Sequence, residues 1–200
     1  MINDYSREAK PYLGGALKTD MMFGDKGTWG QVLWDVLIKD FNIKSVADIG
    51  CGFGYSTLYF HKRGLDAIGI EGGPNTIKNA VYDNIIQNDY TKSSILESDV
   101  DLIWCCEFVE HVEEQYSHFF LEDFKKGKYI AMTFADIDQE GYHHVNCQHQ
   151  EYWIEKIEAL GYTFDNQYTE KLRIIAIKHD SDPIFIYGGH LKRILFFKKI

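Results

Sequence analysis

The sequence predicts an α/β fold in which a mostly parallel sheet lies between two layers of helices. Two observations carry that prediction. The largely apolar stretch Ser45-Val46-Ala47-Asp48-Ile49 suits a strand covered on both faces, and it runs straight into Gly50-Cys51-Gly52-Phe53-Gly54, a G-x-G-x-G loop with a helix-like segment, 55–63, behind it. Strand-like and helix-like segments then alternate towards the C-terminus. Repeated β-α-β units of this kind close into a parallel sheet through right-handed crossovers.

Taken in order, residues 1–27 are polar and glycine-rich and read as an N-terminal arm or lid, with Tyr12, Leu13, Met21, Met22 and Phe23 as its apolar residues. Residues 28–200 form the domain. Thr28 suits the N-cap of a helix over 29–41, whose apolar stripe is Val32, Leu33, Val36 and Leu37. Strand two is 67–71, followed by a helix at about 74–82. Strand three is 84–87 and strand four 100–106. A helix at about 113–125 leads to strand five, 129–134. The helix at about 150–160 ends at Gly161, a good residue for a helix end. Strand six is 162–165, a further helix covers 169–178, and 194–198 closes the sheet as a seventh strand. Residues 179–191, with Pro183, Tyr187, Gly188, Gly189 and His190, show no clear periodicity.

Bulk properties narrow the function. Two hundred residues suffice for one domain with a full core. Lys and Arg number 21 against 30 Asp and Glu, a net charge of -9, which disfavours tight binding to a phosphate backbone and gives no strong nucleic-acid signal. The four cysteines show no C-x-x-C spacing and read as reduced residues of a cytoplasmic protein. The N-terminal stretch lacks a basic region followed by an apolar one, so no secretory signal is expected, and no apolar run reaches the ~18 residues of a membrane span.

Ligands in open α/β sheets bind beyond the carboxyl ends of the strands. The glycines of the loop let the backbone turn sharply and approach a ligand closely, with the next helix directing its first amide groups at it. A nicotinamide dinucleotide favours G-x-G-x-x-G, but here the sixth position is Tyr55. Glu71 closes strand two, where an acid meets ribose hydroxyls. Asp89 closes strand three, within reach of an adenine amino group.

The loop Asp48-Ile49-Gly50-Cys51-Gly52-Phe53-Gly54, the acids Glu71 and Asp89, and the run Asp101 to Val112 on and after strand four resemble those of class I S-adenosylmethionine-dependent methyltransferases. The block Gly141 to Gln148, with Glu151-Tyr152-Trp153-Ile154, resembles small stand-alone methyltransferases of bacterial and phage type. The resemblance covers roughly residues 28–200. It implies a Rossmann-like three-layer sandwich with a seven-stranded sheet whose last strand is antiparallel, and S-adenosyl-L-methionine as methyl donor. It implies that Gly50, Gly52 and Gly54 line the methionine part of the donor, that Glu71 holds the ribose and Asp89 the adenine edge, and that Cys106 and Glu107 sit beside the reacting methyl. Asp48, Cys51, Gly72, Tyr90, Phe108 and Trp29 complete the expected donor site, with Tyr55 nearby.

Methyl transfer from a sulfonium is an in-line displacement, and aligning the nucleophile supplies roughly 7–11 kcal/mol. A hydroxyl or ammonium nucleophile also loses a proton, for which His is the most frequent acceptor. The loop after strand five carries His143, His144 and His149 with Asn146 and Gln148. The expected base or substrate anchor is His144, oriented by Asn146 and Gln148, with His143 beside it and Glu107 at the methyl. The acceptor expected is a small polar molecule, a sugar or metabolite, methylated on oxygen or nitrogen, and no metal is required for this. An alternative uses Glu107-x-x-Glu110-His111, whose i, i+3, i+4 spacing shares one helical face, completed by His143 or His144 around a divalent cation. That arrangement resembles the metal site of small-RNA terminal 2′-O-methyltransferases. A nucleic-acid or protein methyltransferase, and a donor-binding protein without catalysis, are the other readings.

Overall fold

A computed structural model describes residues 25–180 and 189–200. Seven strands form one sheet in the order β3-β2-β1-β4-β5-β7-β6. The strands are β1 (Ser45–Ile49), β2 (Asp66–Glu71), β3 (Ile85–Gln87), β4 (Val100–Cys105), β5 (Gly127–Met132), β6 (Tyr162–Phe164) and β7 (Leu195–Lys199). The first five are parallel, while β7 runs antiparallel to both β5 and β6. The flanking helices are α1 (Gln31–Phe41), α2 (Tyr55–Lys62), α3 (Pro74–Lys78), α4 (Ser117–Phe124), α5 (Gln150–Glu158) and α6 (Asn166–Asp180).

The sheet is covered on both faces, which is why β1 is an almost continuous apolar run. One face packs Ala47, Ile49, Ile103, Ile130 and Phe197 against Phe120, Phe124, Trp153 and Ile157 of α4 and α5. The other packs Val46, Leu102, Trp104 and Phe196 against Leu33, Trp34 and Leu37 of α1, Phe60 of α2 and Leu172 of α6. Strand order reverses between β1 and β4, whose register pairs Asp48 with Trp104 and Ile49 with Cys105. The crevice above that reversal is where such sheets take ligands.

Several element ends differ from the sequence expectation. Helix α1 begins at Gln31 behind Gly30 without a side-chain cap, because Thr28 ends a 3-10 turn, Lys26–Thr28, and gives its hydroxyl to the Asp25 carbonyl. Its inward face is Leu33, Trp34 and Leu37, rotated towards Trp34 from the expected stripe. Helix α3 stops at Lys78, well short of 82. Helix α6 is longer than expected at both ends. Gly161 adopts a left-handed φ of 91° beyond α5, as a helix-ending glycine should. The arm residues Tyr12, Leu13, Met21, Met22 and Phe23 lie outside the described residues, as do Pro183, Tyr187 and Gly188.

Candidate active site

The glycine loop is locked onto β2. The amides of Gly50 and Cys51 both donate to the Ile70 carbonyl, at 2.9 and 3.1 Å. Gly50 has a φ of +73°, and a Cβ there would lie 2.5 Å from the Phe108 ring. Only glycine combines that left-handed backbone with such close approach. Glu71 reaches back from the end of β2. One of its oxygens accepts from the Gly52 amide at 3.0 Å, the other from the Gly73 amide at 2.8 Å. Asp48 accepts from the Ser56 hydroxyl at 2.5 Å and the Thr57 hydroxyl at 2.7 Å. Burial outweighs these bonds and raises its pKa from 3.8 to about 6.

A cavity of about 320 Å³ opens over this loop, within the range of small-molecule sites. The wall on the side of the glycine loop holds Trp29, Asp48, Gly50, Cys51, Gly52, Glu71, Gly72, Tyr90, Cys106, Glu107 and Phe108, all of them named from the sequence. Two expected residues are not in the lining. Gly54 caps the N-terminus of α2 in a left-handed conformation. Asp89 is turned onto its own loop, where it accepts from the amide and hydroxyl of Thr91 and pairs with Lys92. The wall at that point is made by Asn88, Tyr90 and Thr91 instead.

The other end of the cavity is built by the segment after β4 and the loop after β5. The Glu110 carbonyl accepts the amides of Val145 and Asn146, at 2.9 and 3.1 Å, and so ties the two segments together. Through this tie Glu110, His111 and His144 converge, with one ligand atom of each within 4.8 Å of the others. The Glu110 carboxylate and the His111 Nδ1 are buried and have no hydrogen-bond partner among the described residues. Burial, then the charge of Glu107, raises the Glu110 pKa well above the ordinary carboxylate range. Burial, then His144, lowers that of His111 to about 4.

His144 lines the cavity, but its hydrogen bond goes to Gln139, not to Asn146 or Gln148, the residues expected to orient it. Its Nδ1 lies 3.0 Å from the Gln139 carbonyl. A carbonyl only accepts, so Nδ1 is the donor in this contact. Asn146 is buried and takes the Gln148 amide at 3.1 Å, which shapes the loop. His143 is outside the lining and holds a left-handed φ of 53°. His149 is exposed and pairs with Asp136.

Glu107 also leaves the grouping expected for it. Its φ is +51°, an uncommon conformation for a non-glycine residue. Its amide donates to the Thr133 hydroxyl at 2.8 Å, and that hydroxyl lies 2.9 Å from its Oε1. Its Oε2 meets His190 Nδ1 at 3.0 Å and Arg193 at 3.5 Å. Burial alone would raise its pKa, but His190, Thr133 and Arg193 hold it below the ordinary value. Thr133, His190 and Asp25 were not singled out as site residues: Thr133 reads as the end of strand five, while His190 and Asp25 stand in segments without periodicity or motif.

Residues 47–125 match a family model for a methyltransferase domain. In structure the chain is similar to the magnesium protoporphyrin IX methyltransferase ChlM of Synechocystis PCC 6803, seen with bound SAM, at 16% identity over 85% of this chain and 79% of that one (TM-score 0.58). It is similar to a TehB-like SAM-dependent methyltransferase of Corynebacterium glutamicum at 20% identity, over 85% and 86% (TM-score 0.60). It also shares the fold of the [4+2]-cyclase SpnF at 13% identity, over 84% and 81% (TM-score 0.54). No curated protein is significantly similar in sequence. The family match covers the glycine loop and the strands and helices that follow it, and the fold is that of the S-adenosylmethionine-dependent methyltransferases to which the chain is similar. Among the described residues, no helix is long and apolar enough to cross a membrane.

Proposed function

We propose that the chain uses S-adenosylmethionine to methylate an oxygen or nitrogen of a small polar acceptor, with His144 as the proton acceptor. The observation that carries this reading is the His144 ring, which lines the cavity and is oriented by its Nδ1, 3.0 Å from the Gln139 carbonyl. The bound donor supplies a methyl group already activated by its sulfonium. The chain's residues then align the acceptor and take its proton as the methyl moves. Asp48, Glu71 and Glu107 give the donor-side wall the negative character that suits a cation. Gly50, Cys51, Gly52 and Gly72 let the donor approach the backbone closely, while Tyr90 and Phe108 offer ring surface to its adenosyl part. Asp89 acts here through the turn that presents Asn88 and Thr91. The test is His144→Ala: turnover should fall at least 100-fold, the range of a lost general base, with donor affinity nearly unchanged. Unchanged turnover would remove His144 from the role.

A second reading is favoured by the three converging groups at the acceptor end. Two imidazoles and a carboxylate are a donor set for a divalent transition metal, and a buried carboxylate without a partner is the kind of group that a cation satisfies. Glu110, His111 and His144 would hold the ion, which would polarise an acceptor hydroxyl and lower its pKa. Glu107 is committed to His190 and Arg193 and is not part of that set. Activity that survives exhaustive chelation would eliminate this reading in favour of the first.

A further inference from the structure

His190 joins three segments that are remote in sequence, and all three meet at one wall of the donor cavity. Its Nδ1 contacts Glu107 Oε2 at 3.0 Å, and its Nε2 lies 3.6 Å from Asp25 Oδ2. The imidazole sits flush against Gly27, where a Cβ would fall 2.1 Å from the ring. Asp25 organises the turn before α1. Its carboxylate takes the Gly27 amide at 2.8 Å, and its carbonyl takes the hydroxyl and amide of Thr28 at 2.7 and 3.1 Å. Asp25, Thr28, Trp29, Glu107 and His190 all line the cavity. On its own turn His190 is followed by Arg193, which is anchored by the Phe134 carbonyl at 2.9 Å and also points at Glu107. The charged groups that face the His190 ring are therefore Glu107, Asp25 and Arg193.

We infer that His190 is a positioning residue for the donor. It bridges two carboxylates, and so fixes the Glu107 side chain beside the methyl-transfer end and holds the 25–29 turn, with Trp29, against the cavity. Three features make this more than a surface ion pair. Glu107 keeps an unfavourable backbone conformation, which persists only where surrounding contacts determine it. The Glu107 carboxylate is mostly buried, at 11% exposure, so its partners count for more than those of solvent-facing pairs. The ring also fills the space over Gly27 that any other residue there would need. With the bridge gone, the turn loses its ionic tether and Glu107 keeps only Thr133 and the more distant Arg193. The donor then meets a wall that must be ordered at the moment of binding, which weakens affinity without touching the acceptor side.

The test is a double-mutant cycle on the full chain, with donor affinity read by calorimetry and folding by thermal melts. His190→Ala and Asp25→Ala should each weaken S-adenosylmethionine binding about tenfold. The double variant should be no more than about twofold weaker than the worse single one, because both remove the same bridge. His190→Gln, whose amide approximates the outer imidazole nitrogen and reaches towards Asp25, should recover part of the loss; a purely structural role gives no such rescue. Wild-type affinity in a folded His190→Ala variant, or losses that multiply in the double variant, would overturn the inference. Should His190→Ala fail to fold, Asp25→Ala decides alone, and wild-type affinity there overturns it. The inference rests on the donor reading of the cavity. Wild-type protein that binds no S-adenosylmethionine would sink both, a result distinguishable from failure of the bridge.

Discussion

Asp48 makes the free protein less stable near neutral pH, and its replacement by asparagine exposes the cost. The carboxylate is buried at the end of β1 with two hydroxyl partners, and its pKa stands at about 6 against 3.8 in the unfolded chain. Between these values the folded state holds a proton that the unfolded state has released. Stability therefore falls as pH rises from about 4 to about 6. The shift is about two pH units, or about 3 kcal/mol at the far end of the window. Asp48→Asn keeps the size of the side chain and an oxygen for Ser56 and Thr57, but has no proton to lose. Urea unfolding of both proteins without donor, at pH 4 and pH 7, isolates this one group. The stability of the variant relative to wild type should improve by about 2–3 kcal/mol over that range. A difference that stays flat with pH would show that the buried carboxylate is already compensated and would refute the reasoning. The same charge has a use when the donor is present. Wild type should prefer the cationic donor over its neutral thioether product more strongly above pH 6, and the variant should lose that pH dependence.

Further outcomes follow from the same wall. Gly50→Ala places a Cβ 2.5 Å from Phe108 on a backbone with φ +73°; the left-handed conformation costs ~1–2 kcal/mol and overpacking ~1–3, so thermal unfolding should show about 2–5 kcal/mol of lost stability together with lost donor binding. Glu71→Ala strips the acceptor from the Gly52 and Gly73 amides and should cost roughly 2–6 kcal/mol in chemical denaturation, with Glu71→Gln recovering part. Glu110→Gln should leave the melting temperature of the metal-free protein within a few degrees, since burial already disfavours the charged form of the native carboxyl. If the cation reading holds, the same variant should abolish the calorimetric signal of manganese titration.

The glycine-loop end of the cavity was legible because its signals are local. A buried strand, a glycine loop and acids at successive strand ends are each contiguous in sequence, and the structure puts Asp48, Gly50, Gly52 and Glu71 around one cavity. Asp89 shows the limit of such reading. The chain reaches the right place, but Thr91 and Lys92 capture its carboxylate, and local hydrogen bonding of this kind is decided by side-chain geometry that spacing does not encode. Glu107 shows a second limit. Helical spacing groups it with Glu110 and His111, whereas the left-handed turn at 107 breaks that spacing and swings the carboxylate towards His190, 83 positions later in the chain. Trp34 was passed over because α1 begins two residues late, behind Gly30 rather than Thr28, and its inward face turns accordingly.

Acceptor choice is built on a different economy from donor binding. Glu110 spends its backbone carbonyl on the amides of Val145 and Asn146 and leaves its buried carboxylate without a partner. One residue thus anchors the loop after β5 by main-chain bonds that any residue can make, and its side chain takes no part in that anchoring. Swapping the side chain should change the chemistry at the acceptor end without releasing the loop. Lengthening the segment between His144 and Gln148 should do the reverse, because the second anchor of the loop is the Gln148 amide on the Ala135 carbonyl at 3.1 Å. A one-residue insertion after Cys147 should therefore leave donor affinity within about twofold of wild type and lower turnover at least tenfold. Equal losses in both would mean that the loop supports the donor wall as well, and that the two halves of the cavity are not separable.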